Sequence, residues 1–220
     1  MKIAGRDTIK PGLGRVVDQL AEQFGGRITG ASAARPDELY LDMDPMIAGA
    51  ICSTLYKRHG ARLAGAFAED ARATDGGFIV YHLYALDSIG AFVVVRLRLA
   101  AEKPTLASLT GAVPAVNWQE RVIQDWFGIR LLGHSNPRRC AMHDDWPDVH
   151  PMRKDFDLRT QLPPFSGPRH KIREVEGEGV FQVPVGPVHA GIIEPGHFLF
   201  SVAGEPVLYL QLRLFYVHKG

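Results

Sequence analysis

Two stretches decide the fold, Phe78-Ile79-Val80-Tyr81-His82-Leu83-Tyr84-Ala85-Leu86 and Ala91-Phe92-Val93-Val94-Val95-Arg96-Leu97-Arg98-Leu99. Both are dense in β-branched and aromatic residues, which favour a pleated, half-buried surface. In the second, Val95, Leu97 and Leu99 alternate with Arg96 and Arg98, so one face of that strand is wet. A third strand-like segment, Arg62–Ala68, precedes them. Three consecutive strands that follow helical segments predict an antiparallel meander covered by helices.

Upstream, Arg15 to Phe24 carries apolar residues at helical spacing and meets Gly25-Gly26, a stop signal. Glu38 to Met43 reads as a short strand. Asp44-Pro45 then supplies an N-cap and a first-turn proline for a helix running to His59 and stopping at Gly60. Downstream, a third helix spans about Val116–Phe127 and stops at Gly128. Beyond residue 133 the style changes, because ten of the fifteen prolines and seven of the nine histidines lie there. Proline breaks helices and interior strands, so this part is predicted to be rich in loops. Val180–Val183 is a candidate strand, and His197–Val202 and Val207–Tyr216 read as hairpin arms around Ala203-Gly204-Glu205-Pro206.

Composition narrows the function. With 46% hydrophobic and 22% charged residues the chain can bury a core, and a net charge of +1 gives no global pull toward nucleic acid or lipid. Two cysteines, Cys52 and Cys140, exclude a self-contained iron–sulfur cluster, a four-cysteine zinc site and a disulfide scaffold. No apolar run approaches the roughly 20 residues that span a bilayer. Gly12-Leu13-Gly14 lacks both the remaining glycine and the preceding strand of a dinucleotide site, and no phosphate loop or nucleophile elbow is present.

Two polar regions remain. Arg130 to Arg173 holds nine Lys/Arg, five Asp and four His. Within it, His143, Asp144, Asp145 and His150 are suitable donors for a divalent metal, and a stand-alone metal-dependent enzyme is the alternative reading. Arg–Asp pairs that tie down a loop explain the same residues without a metal. Gly186 to Phe198 is a proline- and glycine-rich loop carrying His189, Glu194 and His197; a histidine there can donate to a ligand carbonyl or shuttle a proton, or can simply be exposed on a rigid turn. Glu120-Arg121 reads as a solvated face or an interface pair, and Trp126 and Phe127 as core.

Val113-Pro114-Ala115-Val116-Asn117-Trp118-Gln119-Glu120-Arg121, followed by Asp125-Trp126-Phe127-Gly128-Ile129, resembles the helix signature of the 30-kDa subunit family of complex I, the NADH-quinone oxidoreductase. Asp144-Asp145-Trp146-Pro147 and Pro151-Met152-Arg153-Lys154-Asp155 resemble its downstream pattern. Val183 to His189, Glu194 to Phe198 and Arg213 to Gly220 are similar to the opening of the 49-kDa subunit and [NiFe]-hydrogenase large subunit family. The order resembles the large subunit of formate hydrogenlyase and hydrogenase-4 type (group 4) membrane-bound hydrogenases.

The resemblance implies an α+β docking domain over 1–160, an antiparallel sheet covered by helices. An extended linker over 161–178 and the truncated first β-hairpin of a large-subunit-like domain over 179–220 follow. It implies a peripheral-arm subunit of a hydrogenase or NADH:quinone oxidoreductase complex, on the cytoplasmic side of the inner membrane, with no span or nucleic-acid partner of its own. Electron transfer coupled to proton translocation is the activity expected of the whole complex. No cofactor is expected on this chain; Fe–S clusters, and [NiFe] or quinone, are expected on partner subunits. Those partners are a large-subunit continuation, Fe–S small subunits and, through them, the membrane arm. Glu120, Arg121, Asp125, Arg138, Arg139, Asp144, Asp145, Arg153, Lys154 and Asp155 are the implied partner interface. His189, Glu194 and His197 are the implied residues near the quinone or active site, His189 standing where the 49-kDa relatives contact the quinone headgroup. Two departures stand out: Val122 replaces a second acid after Glu-Arg, and the cysteines that bind nickel and iron in the hydrogenases are absent. A split or truncated frame, or a component completed by a separate large subunit, is therefore expected.

Overall fold

The computed structural model of the chain describes residues 6–142, 146–163, 172–214 and 216–217. Two compact units result, Met1–Arg138 with Val149–Thr160, and Arg139–Asp148 with Gln161–Gly220.

The first unit is built on five strands: β1 (Ile28–Arg35), β2 (Glu38–Met43), β3 (Arg62–Ala71), β4 (Gly77–Leu86) and β5 (Ala91–Ala100). Their order is β1-β2-β5-β4-β3. The expected meander β3-β4-β5 is present and antiparallel. One pair departs from an all-antiparallel sheet: β5 inserts beside β2 and runs parallel to it. Alternating burial marks a strand but carries no information on the direction of its neighbour.

Three helices cover the inner face: α1 (Pro11–Phe24), α2 (Ala48–Arg58) and α3 (Asn117–Phe127). Leu13, Val17 and Leu20 of α1 and Ile51 and Leu55 of α2 pack with Leu41, Val80, Val93, Val95 and Leu97 of the sheet in one core. The α1 stop differs from a left-handed cap. Gly25 keeps right-handed helical angles and the chain tightens into a 3-10 turn, Gly25–Arg27. At the start of α2 the Asp44 side chain accepts from the Met46 N–H at 2.8 Å, and Pro45 opens a 3-10 turn before the helix proper. Gly60 adopts φ +61 after it, where the Ala61 N–H closes back on the Leu55 carbonyl. The outer face is wet, as the arginine alternation of β5 requires. Arg96 and Arg98 both reach Asp42 at 2.6 Å, and Phe67 stacks on Tyr81. A short parallel pair, β6 (Thr105–Ala107) and β7 (Arg130–Leu132), brackets α3.

The second unit holds β8 (Val180–Val185), β9 (His197–Ala203) and β10 (Val207–Arg213), antiparallel in the order β10-β9-β8. The expected hairpin is thus the β9–β10 half of a three-stranded sheet, turning at Gly204 with φ +66. No helix among the described residues is long and apolar enough to cross a membrane.

Candidate functional site

The signature helix α3 carries its apolar stripe at Val116, Ile123 and Phe127, and Glu120 falls on the same stripe. This position corrects the solvated-face expectation for Glu120, whose side chain is wholly buried. It is satisfied internally, accepting from Ser108 Oγ at 2.6 Å and from the Leu109 N–H at 2.7 Å. Burial raises its carboxyl above the usual range, and these two hydrogen bonds hold the rise back. His134 lies 3.8 Å away. The Asn136 N–H donates to His134 Nδ1, so His134 carries its proton on Nε2 and donates to the Asn117 carbonyl. Arg121 and Asp125 are also buried, and Arg121 Nε donates to the Arg138 carbonyl at 2.7 Å. Gln124 reaches the Pro137 carbonyl. The helix therefore anchors the segment 134–138 that follows it.

The last four carbonyls of a helix lack intrahelical donors. In α3 all four are met. Gly128 takes the left-handed conformation at φ +68 and its N–H closes on the Gln124 carbonyl at 2.9 Å. His150 Nδ1 donates to the Asp125 carbonyl, the Met152 N–H to that of Trp126, and Arg153 Nε to that of Phe127. A Cβ at residue 128 would strike both His150 and Arg153, so only glycine suits the angle and the contact.

This strap over 149–155 is fastened to the sheet. The Lys154 N–H donates to Asp70 at 2.9 Å, and Arg72 spans Asp70 and Asp155 with contacts of 2.7 and 2.8 Å. The Arg72 and Arg153 guanidinium carbons each lie 5.3 Å from the Phe78 ring centroid. The Arg72 guanidinium holds the Asp70 carboxyl well below its usual range, aided by the two backbone N–H donors, and lowers Asp155 as well. Arg153 and Asp155, expected at a partner interface, are thus used to close the domain on itself. Asp155 keeps a largely exposed side chain.

Of the metal-site candidates, His150 is committed to the helix end, and His143, Asp144 and Asp145 lie outside the described residues. Among the described residues no group of three or more His, Cys, Asp or Glu could hold a metal ion. Arg139 belongs to the second unit, where it donates to the Trp146 carbonyl. Beneath the sheet lie buried groups that no motif marks; His82, which has no evident partner in the sequence and reads as structural or exposed, is one of them. His82 is fully buried in a row with Ala66, Val95 and Leu41, and neither ring nitrogen has a hydrogen-bond partner. Burial alone pushes its pKa down to about 4. The Tyr84 hydroxyl faces the Cys52 thiol without a well-formed hydrogen bond, and burial pushes that thiol up to about 12.

In the second unit, His189 Nε2 donates to the Gly196 carbonyl at 2.9 Å and its ring meets Phe198 edge-on at 5.8 Å. In the neutral ring this contact places the proton on Nε2 and the lone pair on Nδ1. Glu194 is exposed, and His197 is half-buried opposite Arg213.

Residues 41–162 match the family described as respiratory-chain NADH dehydrogenase, 30 Kd subunit. Hydrogenase-4 component G of Escherichia coli is 35% identical over 93% of this chain and 38% of its own length. Formate hydrogenlyase subunit 5 of the same organism is 33% identical over 91% of this chain and 36% of its own. The chain therefore spans little more than a third of these two relatives. A solved archaeal complex, the membrane-bound sulfane sulfur reductase, has a chain that shares the fold at a TM-score of 0.60 and 19% identity, covering 68% of this chain and 88% of that one. With the capped signature helix and its strap falling inside the matched region, the chain belongs to the 30 Kd subunit family of the respiratory-chain NADH dehydrogenase.

Proposed function

We propose that this chain is a peripheral docking subunit of a membrane-bound oxidoreductase complex of the hydrogenase or NADH:quinone type. It holds a large subunit and Fe–S subunits in register on the cytoplasmic side and carries no redox centre. One observation carries the reading: the match to hydrogenase-4 component G covers 93% of the chain, and so reaches into both units. The donor set supports the non-redox part. Only Cys52 and Cys140 are present, both buried, which does not make up the thiolate set of an Fe–S or [NiFe] centre. In this reading Arg138, Arg139, Lys154 and Asp155 face partner subunits, and His189, held through Nε2, accepts at Nδ1 from a quinol hydroxyl, or donates from Nδ1 to a quinone carbonyl when the ring is protonated.

Affinity-tagged chain, purified gently from its own host, is expected to migrate on a native gel with subunits that carry Fe–S absorbance. Migration as a solitary monomer under all mild conditions defeats the proposal. In the assembled complex His189→Ala is expected to lower turnover while leaving assembly intact; unchanged turnover removes His189 from the site.

A further inference from the structure

The loop over 186–196 leaves the C-terminal sheet at the end of its ladder. The last row there is Val185–Phe198–Leu212, which shares an apolar face with the row Val183–Phe200–Leu210. Gly186 follows at φ +83, a left-handed conformation that residues with a side chain rarely adopt. A Cβ on Gly186 would strike the Gly196 carbonyl oxygen and would lie 2.7 and 2.8 Å from Cε1 and Nε2 of His189. The space that a Cβ would need is thus the space in which the His189 N–H meets the Gly196 carbonyl. Gly196 is itself buried, and a Cβ on it would lie 3.1 Å from Leu214 and 3.4 Å from Phe198, the ring that meets the imidazole edge-on. Gly191 of the same loop is different: its φ is +143, but nothing lies within 4 Å of its Cβ position.

We propose that Gly186 is the positioning residue of His189: its bare Cα lets the imidazole close on the Gly196 carbonyl, and the ring so held selects a hydroxyl-bearing ligand over the carbonyl-bearing form of the same molecule. The ligand half of the proposal rests on the reading above that His189 borders a quinone. A carbonyl oxygen only accepts, so it takes the Nε2 proton, and the neutral ring keeps its lone pair at Nδ1. Nδ1 has no hydrogen-bond partner among the described residues, and the ring is half-buried. An imidazole in this state accepts from the hydroxyl of a hydroquinone and has no proton to offer the carbonyl of a quinone. Two acceptors brought face to face leave both unsatisfied, which is how one fixed polar group tells two otherwise similar ligands apart. With a side chain at residue 186 the ring is displaced from the Gly196 carbonyl, either nitrogen can carry the proton, and the discrimination is lost.

The first readout is nuclear magnetic resonance of the full chain, isotopically labelled at its histidine-ring nitrogens, at about pH 8, where an ordinary imidazole is neutral. The His189 signals are identified by their loss in His189→Gln. The wild-type chain is expected to show a slowly exchanging proton on Nε2 and a bare Nδ1. Gly186→Ala and Gly186→Asn are expected to lose that proton signal to exchange with water; asparagine is the side-chain-bearing residue that best tolerates a positive φ. Gly191→Ala, which strains the same loop without touching the ring, is expected to keep it. Hydrogen exchange of the β8 and β9 amides reports that the sheet is intact. The second readout is the ratio of affinities of the assembled complex for a short-chain hydroquinone and its quinone. That ratio is expected to fall at least about fivefold in the Gly186 variants and to stay within about twofold in Gly191→Ala. An Nδ1–H form in the wild-type chain, or a ring proton kept in both Gly186 variants with the sheet protected, overturns the positioning role. So does its loss in Gly191→Ala, and so does loss of β8 and β9 protection in both Gly186 variants, which would make this glycine a requirement of the sheet alone. A lost ring proton with an unchanged affinity ratio overturns the ligand selection and leaves the positioning role standing. Failure of both quinone forms to bind the wild-type complex defeats the quinone reading, while the ring spectra still decide the positioning role.

Discussion

The two units use their side chains in opposite ways. In the first, apolar residues of helix and sheet are sealed inside, and even signature charges are tied to their own domain: Glu120 to Ser108 and Leu109, Arg153 to Phe127 and Phe78, and the exposed Asp155 to Arg72. In the second, the middle strand β9 buries little beyond Leu199, Ser201 and Val202, while β8 and β10 leave Phe181, Leu208 and Leu212 about half exposed. A three-stranded sheet with one uncovered apolar face is short of the burial an independent domain needs. The difference teaches that a charged family signature can belong to the fold, while an apolar surface is the more telling mark of a partner.

The comparison is most easily broken at Asp70. It is 3% exposed and meets Arg72 and the Lys154 N–H, so Asp70→Ala should cost the first unit about 3 kcal/mol. The readout is the urea midpoint, with exchange of the β9 amides unchanged; parallel loss in both units would show that they are not separate. His82 comes next. An unfolded histidine protonates near 6.5 and this one only at about 4, so between those values the unfolded state binds the extra proton. Stability of the first unit should therefore fall as pH falls through 6.5 to 4, by about 3 kcal/mol in all, and His82→Leu should flatten that slope. A slope unaffected by His82→Leu would assign it elsewhere. Arg153→Ala removes a helix-end hydrogen bond and a ring contact and should cost about 1–2 kcal/mol in the same denaturation assay.

In the second unit, Leu212→Ser should shift the isolated chain by under about 0.5 kcal/mol, because the side chain is already half in water. A large shift would mean that the face is covered within the chain. The smallest effect is expected at Arg159, whose pairing with Asp157 lies at the surface: Arg159→Ala should leave the midpoint unmoved at moderate salt.

Much of this was legible from short-range pattern. The β4 and β5 runs, the Asp44-Pro45 helix start, the Gly128 stop and the β9–β10 turn all lie where spacing and capping residues place them. β1 was not legible, because Ile28 to Arg35 is mostly small residues with weak strand propensity and pairs only because β2 offers an edge. Glu120 left one trace, its place on the apolar stripe of α3, but its partners Ser108 and Leu109 come from a loop that no helical period reports. The strap was legible as a motif and not as a strap, since Lys154 meets Asp70 across 84 residues of chain.

Strand alternation, helix caps and the family motifs are properties of a few neighbouring residues, and the amino-acid order settles them before the chain closes. Whether Arg153 and Asp155 point to a partner or to their own sheet, whether His82 finds a hydrogen bond, and which face of β8–β10 stays open depend on long-range closure. Burial sets those outcomes, because a charge or an apolar row acquires its energetic meaning only from what is packed against it.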